Sequence, residues 1–181
     1  MNALITLHNR AFATLERGLG NWFLPSLARF AFAAVLLFYY WNSATGKHDG
    51  SLLTPSFGAY SQIFPKTLDA FGWDISNFGL FHKTVIIGAT LAEYLLPLLI
   101  LVGLMTRLAA IGMIGFIIVQ SLTDLYGHGL ITDPATTGVW FDNLSSGLIM
   151  DQRLMWITVL LILVTKGAGP LSLDRALLKT N

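Results

Sequence analysis

Long apolar runs dominate this chain and restrict what it can fold into. A helix needs about 20 predominantly apolar residues to cross the hydrocarbon core of a bilayer. Segments that meet or approach this length cover residues 24–43, 84–105, 108–126 and 146–165. Only 12% of the residues are charged, against about 25% in soluble domains. The sequence therefore predicts an all-α, four-helix transmembrane bundle that forms one integral membrane domain over residues 1–181.

The first and last of these segments are less simple as membrane spans than the two between them. The first apolar run begins near Leu24 without the short core of a signal peptide, so we expect it to be retained as a span. In the last segment the uninterrupted apolar run, Leu154–Val164, is too short to cross a bilayer alone. A helix that begins near Ser145 and carries Asp151 and Arg153 at its outer end has the required length.

The distribution of basic residues predicts the orientation. Cytoplasmic loops of membrane proteins carry an excess of Lys and Arg. With four spans, the side that holds both termini has these charged residues: Arg10, Arg17, Arg29, Arg107, Lys166, Arg175 and Lys179, against Glu16 and Asp174. The opposite side has more acidic than basic residues. We therefore expect both termini in the cytoplasm and the two long loops outside, in the inner membrane of a bacterium.

Two segments outside the spans are also expected to be ordered. Near the N-terminus apolar residues recur at roughly helical spacing, at Leu4, Leu7, Phe12, Leu15 and Leu19. This pattern predicts an interfacial amphipathic helix. The extracytoplasmic loop at 44–83 is rich in aromatic residues, and Pro55 and Pro65 mark candidate helix starts. We expect short helices there, lying on the outer mouth of the bundle.

The second predicted span carries Glu93 inside its apolar run and Pro97 one turn later. Proline lacks the N–H that would bond the carbonyl of residue 93, so that carbonyl is free. Counting about 1.5 Å per residue from the basic residues at the inner helix ends places four polar side chains at a similar depth. These are Asn42, Glu93, Gln120 and Arg153, one on each span.

This polar layer has two readings, and the sequence leaves both open. Polar groups lock membrane helices together, and charged residues inside a membrane are also candidates for function. In either case Arg153 is the expected ion partner of Glu93. In the functional reading Glu93 is the catalytic candidate and all four residues line a pocket, with Tyr40 and Trp41 as walls for a flat ligand.

A second set of polar residues lies near the outer ends of the spans. Its members are His48, Asp49, His82, Asp124 and His128. Imidazole and carboxylate groups bind zinc and other divalent ions, but none of these residues has a ligand spacing specific to a metal. The pattern favours interfacial residues at helix ends over a metal site.

The chain resembles the DoxX family of small four-helix membrane proteins. The resemblance rests on Arg29, on the Trp41–Lys47 exit from the first span, on AEYLLPLLILVGLMTRLAA in the second, and on GAGPLSLD after the fourth. It implies a membrane subunit of a quinone-linked oxidoreductase system, possible substrates being sulfur compounds, with quinone as a possible cofactor. The related MauE-like and vitamin-K-reductase-like proteins use cysteines, which this chain lacks.

The sequence is also compatible with two other functions. One is a non-enzymatic membrane anchor or assembly partner for an extracytoplasmic enzyme, with the aromatic outer loop as the docking surface. The other is a small-solute carrier, which would require a homo-oligomer because four helices are few for one subunit. Membrane lipid is the partner expected in every case, and the charge pattern gives no sign of nucleic acid.

Overall fold

The computed structural model describes residues 2–178, and over this range it is built from helices without an extended strand. The helices are α1 Asn2–Leu19, α2 Phe23–Thr45, α3 Phe57–Ile63, α4 Pro65–Ala70, α5 Leu80–Val102, α6 Thr106–Gly127, α7 Pro134–Thr137, α8 Met150–Lys166 and α9 Leu173–Leu178. The all-α prediction is therefore confirmed for the described residues.

Within residues 2–178, three helices are long and apolar enough to cross a membrane: α2, α5 and α6. Helix α5 begins at Leu80 and ends at Val102, so it overlaps the predicted segment 84–105 but starts and ends a few residues earlier. The fourth predicted segment, 146–165, forms α8, which has 17 residues and begins only at Met150.

The four long helices α2, α5, α6 and α8 form a closed ring of neighbours. Helix α2 packs against α5 and α8, and α6 packs against the same two helices from the other side. Their shared core contains large buried residues such as Phe32, Tyr40, Met113 and Leu160. Every one of these helices therefore has one face in the core, and the side chains that point outward are mostly apolar.

The turn between α5 and α6 is tight and contains two residues with left-handed backbone, Gly103 and Met105, the latter with φ 48°. Gly103 has φ 71°, and the amides of Gly103 and Leu104 bond the carbonyls of Ile100 and Leu99. This is the Schellman pattern, which favours glycine at the left-handed position. It explains why α5 ends before the predicted residue 105. A Cβ at Gly103 would also lie 2.6 Å from the Cβ of Ser172, so there is no room for a side chain.

Arg29 stabilises this turn from α2. Its Nε donates to the carbonyl of Ile100 at 3.1 Å, and its Nη1 donates to the carbonyl of Ala168 at 3.0 Å. The guanidinium also donates to the carbonyls of Leu101 and Leu171. One side chain thus satisfies the last carbonyls of α5, which have no partner within the helix, and ties them to the segment after α8.

Asp174 satisfies the other half of the same turn. Its carboxylate accepts from the amide of Met105 at 2.6 Å and from the amide of Thr106 at 3.0 Å. These amides belong to the start of α6, where helix donors are unpaired and negative charge is favourable. We call this end of the bundle, where Arg29 and Asp174 meet the α5–α6 turn, the turn end.

Helix α2 is not a regular α-helix along its whole length. Residues Ala33–Leu37 form a π-helical turn, which places one extra residue in the turn. Each residue after this turn therefore takes the place that the preceding residue would have in a regular helix. The side chains that α2 presents to its neighbours at the far end are therefore not those that regular spacing predicts.

At the end of the bundle opposite the turn end, the loop between α2 and α5 is folded. The short helices α3 and α4 enclose a second apolar cluster around Tyr60, Leu68 and Phe78, which also packs on Ile86 of α5. Helix α4 begins at Pro65, at the predicted start, and Ser56 caps α3 by accepting from the amide of Ala59 at 3.2 Å. This layer covers the bundle at that end.

Helix α1 lies apart from this ring. It is exposed over nearly its whole length and has one apolar side, which includes Leu4, Leu7, Phe12 and Leu15. Arg10 and Arg17 lie on the opposite, polar side, as expected from the helical period. An amphipathic helix of this kind is typical of a membrane interface.

Candidate functional site

Glu93 is buried in the bundle and forms an ion pair with Lys47. The two carboxylate oxygens of Glu93 lie 2.9 and 2.8 Å from Nζ of Lys47, and both side chains are about 4% exposed. Ser43 joins them: its Oγ accepts from Nζ at 2.6 Å and donates to Oε1 of Glu93 at 3.1 Å. Lys47 follows the last turn of α2 and lies one helical turn beyond Ser43.

The prediction that Glu93 forms an ion pair with Arg153 is wrong. Arg153 on α8 is buried and forms its ion pair with Asp124, on the last turn of α6. Its Nη1 also donates to Oγ of Ser121 at 2.9 Å. Lys47 is nearer to Glu93 because its long side chain turns back into the bundle from just beyond α2, as basic side chains with apolar stems can do.

The other residues of the predicted layer have separate contacts. The amide of Gln120 accepts from the hydroxyl of Tyr40 at 3.3 Å and donates to the hydroxyl of Tyr39 at 3.0 Å. Trp41 donates from Nε1 to the carbonyl of Tyr94 at 3.2 Å. Asn42 is exposed, and the residue after it, Ser43, makes the contact with Glu93. The π-helical turn in α2 accounts for this difference of one position.

A cavity of about 100 Å³ lies beside the Glu93–Lys47 pair. Its polar lining consists of Lys47, Glu93, Gln62, Gln120, Thr123 and Asp124. Its apolar lining consists of Ile63, Val85, Ala89, Phe116 and Val119. Of the predicted pocket residues, the cavity thus includes Glu93 and Gln120, while Asn42, Arg153, Tyr40 and Trp41 lie outside its lining.

The cavity has a side that faces the lipid. Val85 on α5 is 36% exposed and Val119 on α6 is 64% exposed, and both also line the cavity. These two residues lie where α5 and α6 run side by side. Helix α3 closes the cavity toward the loop side with Gln62 and Ile63. Exposed side chains therefore border the cavity both between α5 and α6 and at Gln62.

The charges around the cavity cancel. Two carboxylates, Glu93 and Asp124, are each paired with a cation, Lys47 and Arg153. Buried charges of this kind are tolerated when they are paired and hydrogen-bonded. Because the four groups sum to zero, the cavity suits a neutral ligand with polar atoms better than an ion. The carboxylates keep lone pairs that can accept further hydrogen bonds or a proton.

The candidate metal ligands are not brought together. His48 contacts the hydroxyl of Tyr94 at 3.2 Å, His82 packs among phenylalanine rings, and Nε2 of His128 lies 3.0 Å from the carbonyl of Gln62. Asp124 is occupied by Arg153. Over residues 2–178 there is no group of three or more His, Cys, Asp or Glu side chains that could hold a metal ion.

The DoxX family model matches residues 24–123, which is more than half of the chain. The chain belongs to the DoxX family. The matched region of this DoxX chain covers α2, α5 and most of α6, so it includes Lys47, Glu93 and Gln120. It ends just before Asp124 and does not reach Arg153. No curated protein and no solved structure matches the chain.

Two sequence features that suggested the family lie close together at the turn end, although the family model matches only the first of them. These two features, Arg29 and the GAGPLSLD segment, meet there around the α5–α6 turn. Sequence reasoning missed Lys47, Ser43 and Gln62 as residues of the site. The available signal for Lys47 was its position one helical turn after Ser43, at the same end of the bundle as Glu93.

Proposed function

We propose that this DoxX protein is a membrane subunit of a quinone-linked oxidoreductase system and that it binds the quinone head group beside Glu93. The observation that supports the proposal is the cavity itself: the carboxylates of Glu93 and Asp124 and the amides of Gln62 and Gln120 line it, and the exposed Val85 and Val119 border it. A quinone is neutral, carries two carbonyl oxygens and dissolves in the bilayer.

The size of the cavity limits how a quinone enters it. A cavity of about 150 Å³ holds a benzene molecule, and the cavity beside Glu93 has about 100 Å³. We therefore place one carbonyl edge of the quinone ring inside the cavity, and the quinone tail in the lipid beside Val119. We assign to the Gln62 side chain, which lines the cavity, a hydrogen bond to this carbonyl.

The chemistry assigned to the site is proton handling. Oxidation of a quinol to a quinone releases two electrons and two protons. We assign acceptance of a proton from the ring hydroxyl to the carboxylate of Glu93, with Asp124 as a second acceptor on the same cavity; in the direction of quinone reduction the same groups, once protonated, return these protons to the ring oxygens. Lys47 and Ser43 hold the Glu93 carboxylate in place. The electrons come from, or go to, a partner redox protein.

The topology proposed with this function has four spans in one domain. Helix α8 crosses the membrane as the fourth span together with the segment that precedes it, since it packs along both α2 and α6. The turn end carries Arg29, Arg107 and Lys166, so the positive-inside rule places it in the cytoplasm of a bacterial cell. The cavity then lies in the outer half of the inner membrane.

Filling the cavity tests the proposal. Ala89→Leu adds bulk to the cavity wall, so we expect a short-chain ubiquinone to bind at least about tenfold more weakly, a loss of about 1.4 kcal/mol. Equilibrium binding to the purified protein in detergent measures this. The matched control is Ala34→Leu, the same change at an exposed position of α2. Equal affinity in both variants would exclude the cavity as the quinone site.

A second candidate function is the anchor for an extracytoplasmic enzyme. It is favoured by Phe57 and Trp73 on the folded loop, which stack at 6.3 Å between ring centroids although they are 46% and 57% exposed. Exposed aromatic residues are enriched in protein interfaces.

If this function holds, Phe57→Ser with Trp73→Ser abolishes co-purification of a redox partner from native membranes and leaves quinone binding unchanged. Phe30→Ser, at an exposed position of α2 near the turn end, serves as the control. A partner that co-purifies equally with both variants does not dock on this loop.

A further inference from the structure

A groove of about 640 Å³ lies at the turn end, far from the cavity beside Glu93. It is formed by the start of α6, the end of α8 and the segment that runs from the end of α8 into α9. Basic side chains line it: Arg107 at the start of α6, Lys166 at the end of α8, and Arg175 on α9. All three are exposed. The groove has no role in the proposed quinone chemistry.

The three basic residues line the same groove from three elements. Nη2 of Arg107 lies 3.4 Å from the carbonyl of Thr165, which brings its guanidinium to the end of α8, where Lys166 follows. Arg175 follows Asp174, whose carboxylate bonds the amides at the start of α6 and so ties α9 to that helix. The contacts that build the turn end therefore also hold the walls of the groove together.

These cations have no acidic partner in the described part of the chain. The salt bridges found among the described residues are Lys47–Glu93 and Arg153–Asp124, both at the opposite end of the bundle. Asp174 also lines the groove, but its two oxygens are already bonded to the amides of Met105 and Thr106. The groove thus keeps an excess of positive charge.

The groove also has an apolar part. Met105, Leu108 and Leu177 line it and are 55%, 60% and 60% exposed. Cationic and apolar side chains therefore lie side by side at the ends of α6 and α8, where a membrane helix meets the headgroup region. This combination matches a molecule with a negatively charged phosphate next to acyl chains, and basic pockets between helices on this side of membrane proteins bind such headgroups.

We infer that this groove is a binding site for an anionic phospholipid. The phosphate lies between Arg107, Lys166 and Arg175, and the upper part of the acyl chains covers Met105 and Leu108. Arginine suits the phosphate because its planar guanidinium donates two parallel hydrogen bonds. The start of α6 is not available as the anion site, since Asp174 already occupies it.

Lipid binding by purified protein tests this site. Native mass spectrometry in detergent compares phosphatidylglycerol with phosphatidylcholine of the same acyl chains. Each cation near an anionic surface contributes roughly fivefold in affinity, so Arg107→Gln with Arg175→Gln lowers the affinity for phosphatidylglycerol about 25-fold. The affinity for phosphatidylcholine, whose phosphate charge is offset by its own choline cation, falls by much less, so the preference for phosphatidylglycerol is lost.

The control removes the same amount of charge elsewhere. Lys66→Gln with Lys83→Gln changes two exposed lysines at the opposite end and leaves the lipid preference intact. Should the double arginine variant not fold, Lys166→Gln alone gives a loss of roughly fivefold. Equal losses in groove and control variants would overturn the site. So would displacement of the lipid by millimolar inorganic phosphate, which would identify a free anion as the ligand.

Discussion

Replacing Lys47 by methionine is expected to lower the free energy of unfolding by about 3–5 kcal/mol, the range measured when one partner of a buried ion pair is removed. The reason is that the Glu93 carboxylate, whose side chain is about 4% exposed, loses its cation and must either stay charged without a partner or take up a proton, and both cost free energy. Ser43 then offers only a single hydroxyl as compensation. Equilibrium unfolding in mixed detergent micelles measures the change.

The matched double variant separates a charge effect from a packing effect. In Lys47→Met with Glu93→Gln no charge is left unpaired, so most of the lost stability should return. If the losses of the two single variants simply add in the double variant, the ion pair contributes nothing to the fold. The cycle isolates the attraction between the two charges, because Lys47→Met removes the cation and Glu93→Gln removes the anion, although the glutamine oxygen can still accept from Lys47.

The same double variant separates the two readings of the buried glutamate. If the Glu93–Lys47 pair only locks helices together, a refolded double variant binds quinone with wild-type affinity and supports the same turnover. If Glu93 handles protons, the double variant folds and yet loses turnover. Both outcomes are informative, because stability and activity are measured on one protein.

Arg29→Met is expected to have an effect of similar size, about 3–5 kcal/mol. Hydrogen bonds to a charged group contribute about 1.5–3 kcal/mol each, and this guanidinium donates to the carbonyls of Ile100, Leu101, Ala168 and Leu171. Their contributions do not add fully, because the freed carbonyls at this exposed end can bond water. Thermal unfolding in detergent measures the loss.

A graded series strengthens this test. Arg29→Lys keeps the charge but has a single donor group, so it should lose about half as much stability as Arg29→Met. Arg17→Met, at an exposed position of α1, should leave the unfolding temperature unchanged. If Arg29→Lys is as stable as the wild type, the carbonyl contacts do not hold the turn and the charge alone is sufficient.

Hydropathy predicted the three helices that are long and apolar enough to cross a membrane, and depth counting put Glu93 and Gln120 at a similar depth; both residues line one cavity. Depth counting succeeded here because α5 and α6 are joined by a short turn, so the distance from Arg107 is a fair measure of depth on both. The count on α2 named Asn42 where Ser43 makes the contact. The π-helical turn Ala33–Leu37 explains this, and regular spacing cannot reveal it.

The partner of Glu93 was predicted wrongly for a different reason. Counting gives the depth of a helix position, but Lys47 lies beyond the last turn of α2 and reaches Glu93 only through its long side chain. Likewise, no local pattern links Arg29 with Ala168, which are 139 positions apart. Such contacts depend on which helices are neighbours, and the closed ring of α2, α5, α6 and α8 decides that.

The cancellation of charge around the cavity has a consequence for an energised membrane. Moving one elementary charge through a potential of 100 mV involves about 2.3 kcal/mol. The two pairs Lys47–Glu93 and Arg153–Asp124 carry no net charge, so a rigid shift of this region with a neutral ligand does no work against the field. If the proposed neutral ligand binds beside Glu93, we therefore expect its occupancy to be independent of the membrane voltage, and only the entry or exit of a proton to be coupled to it.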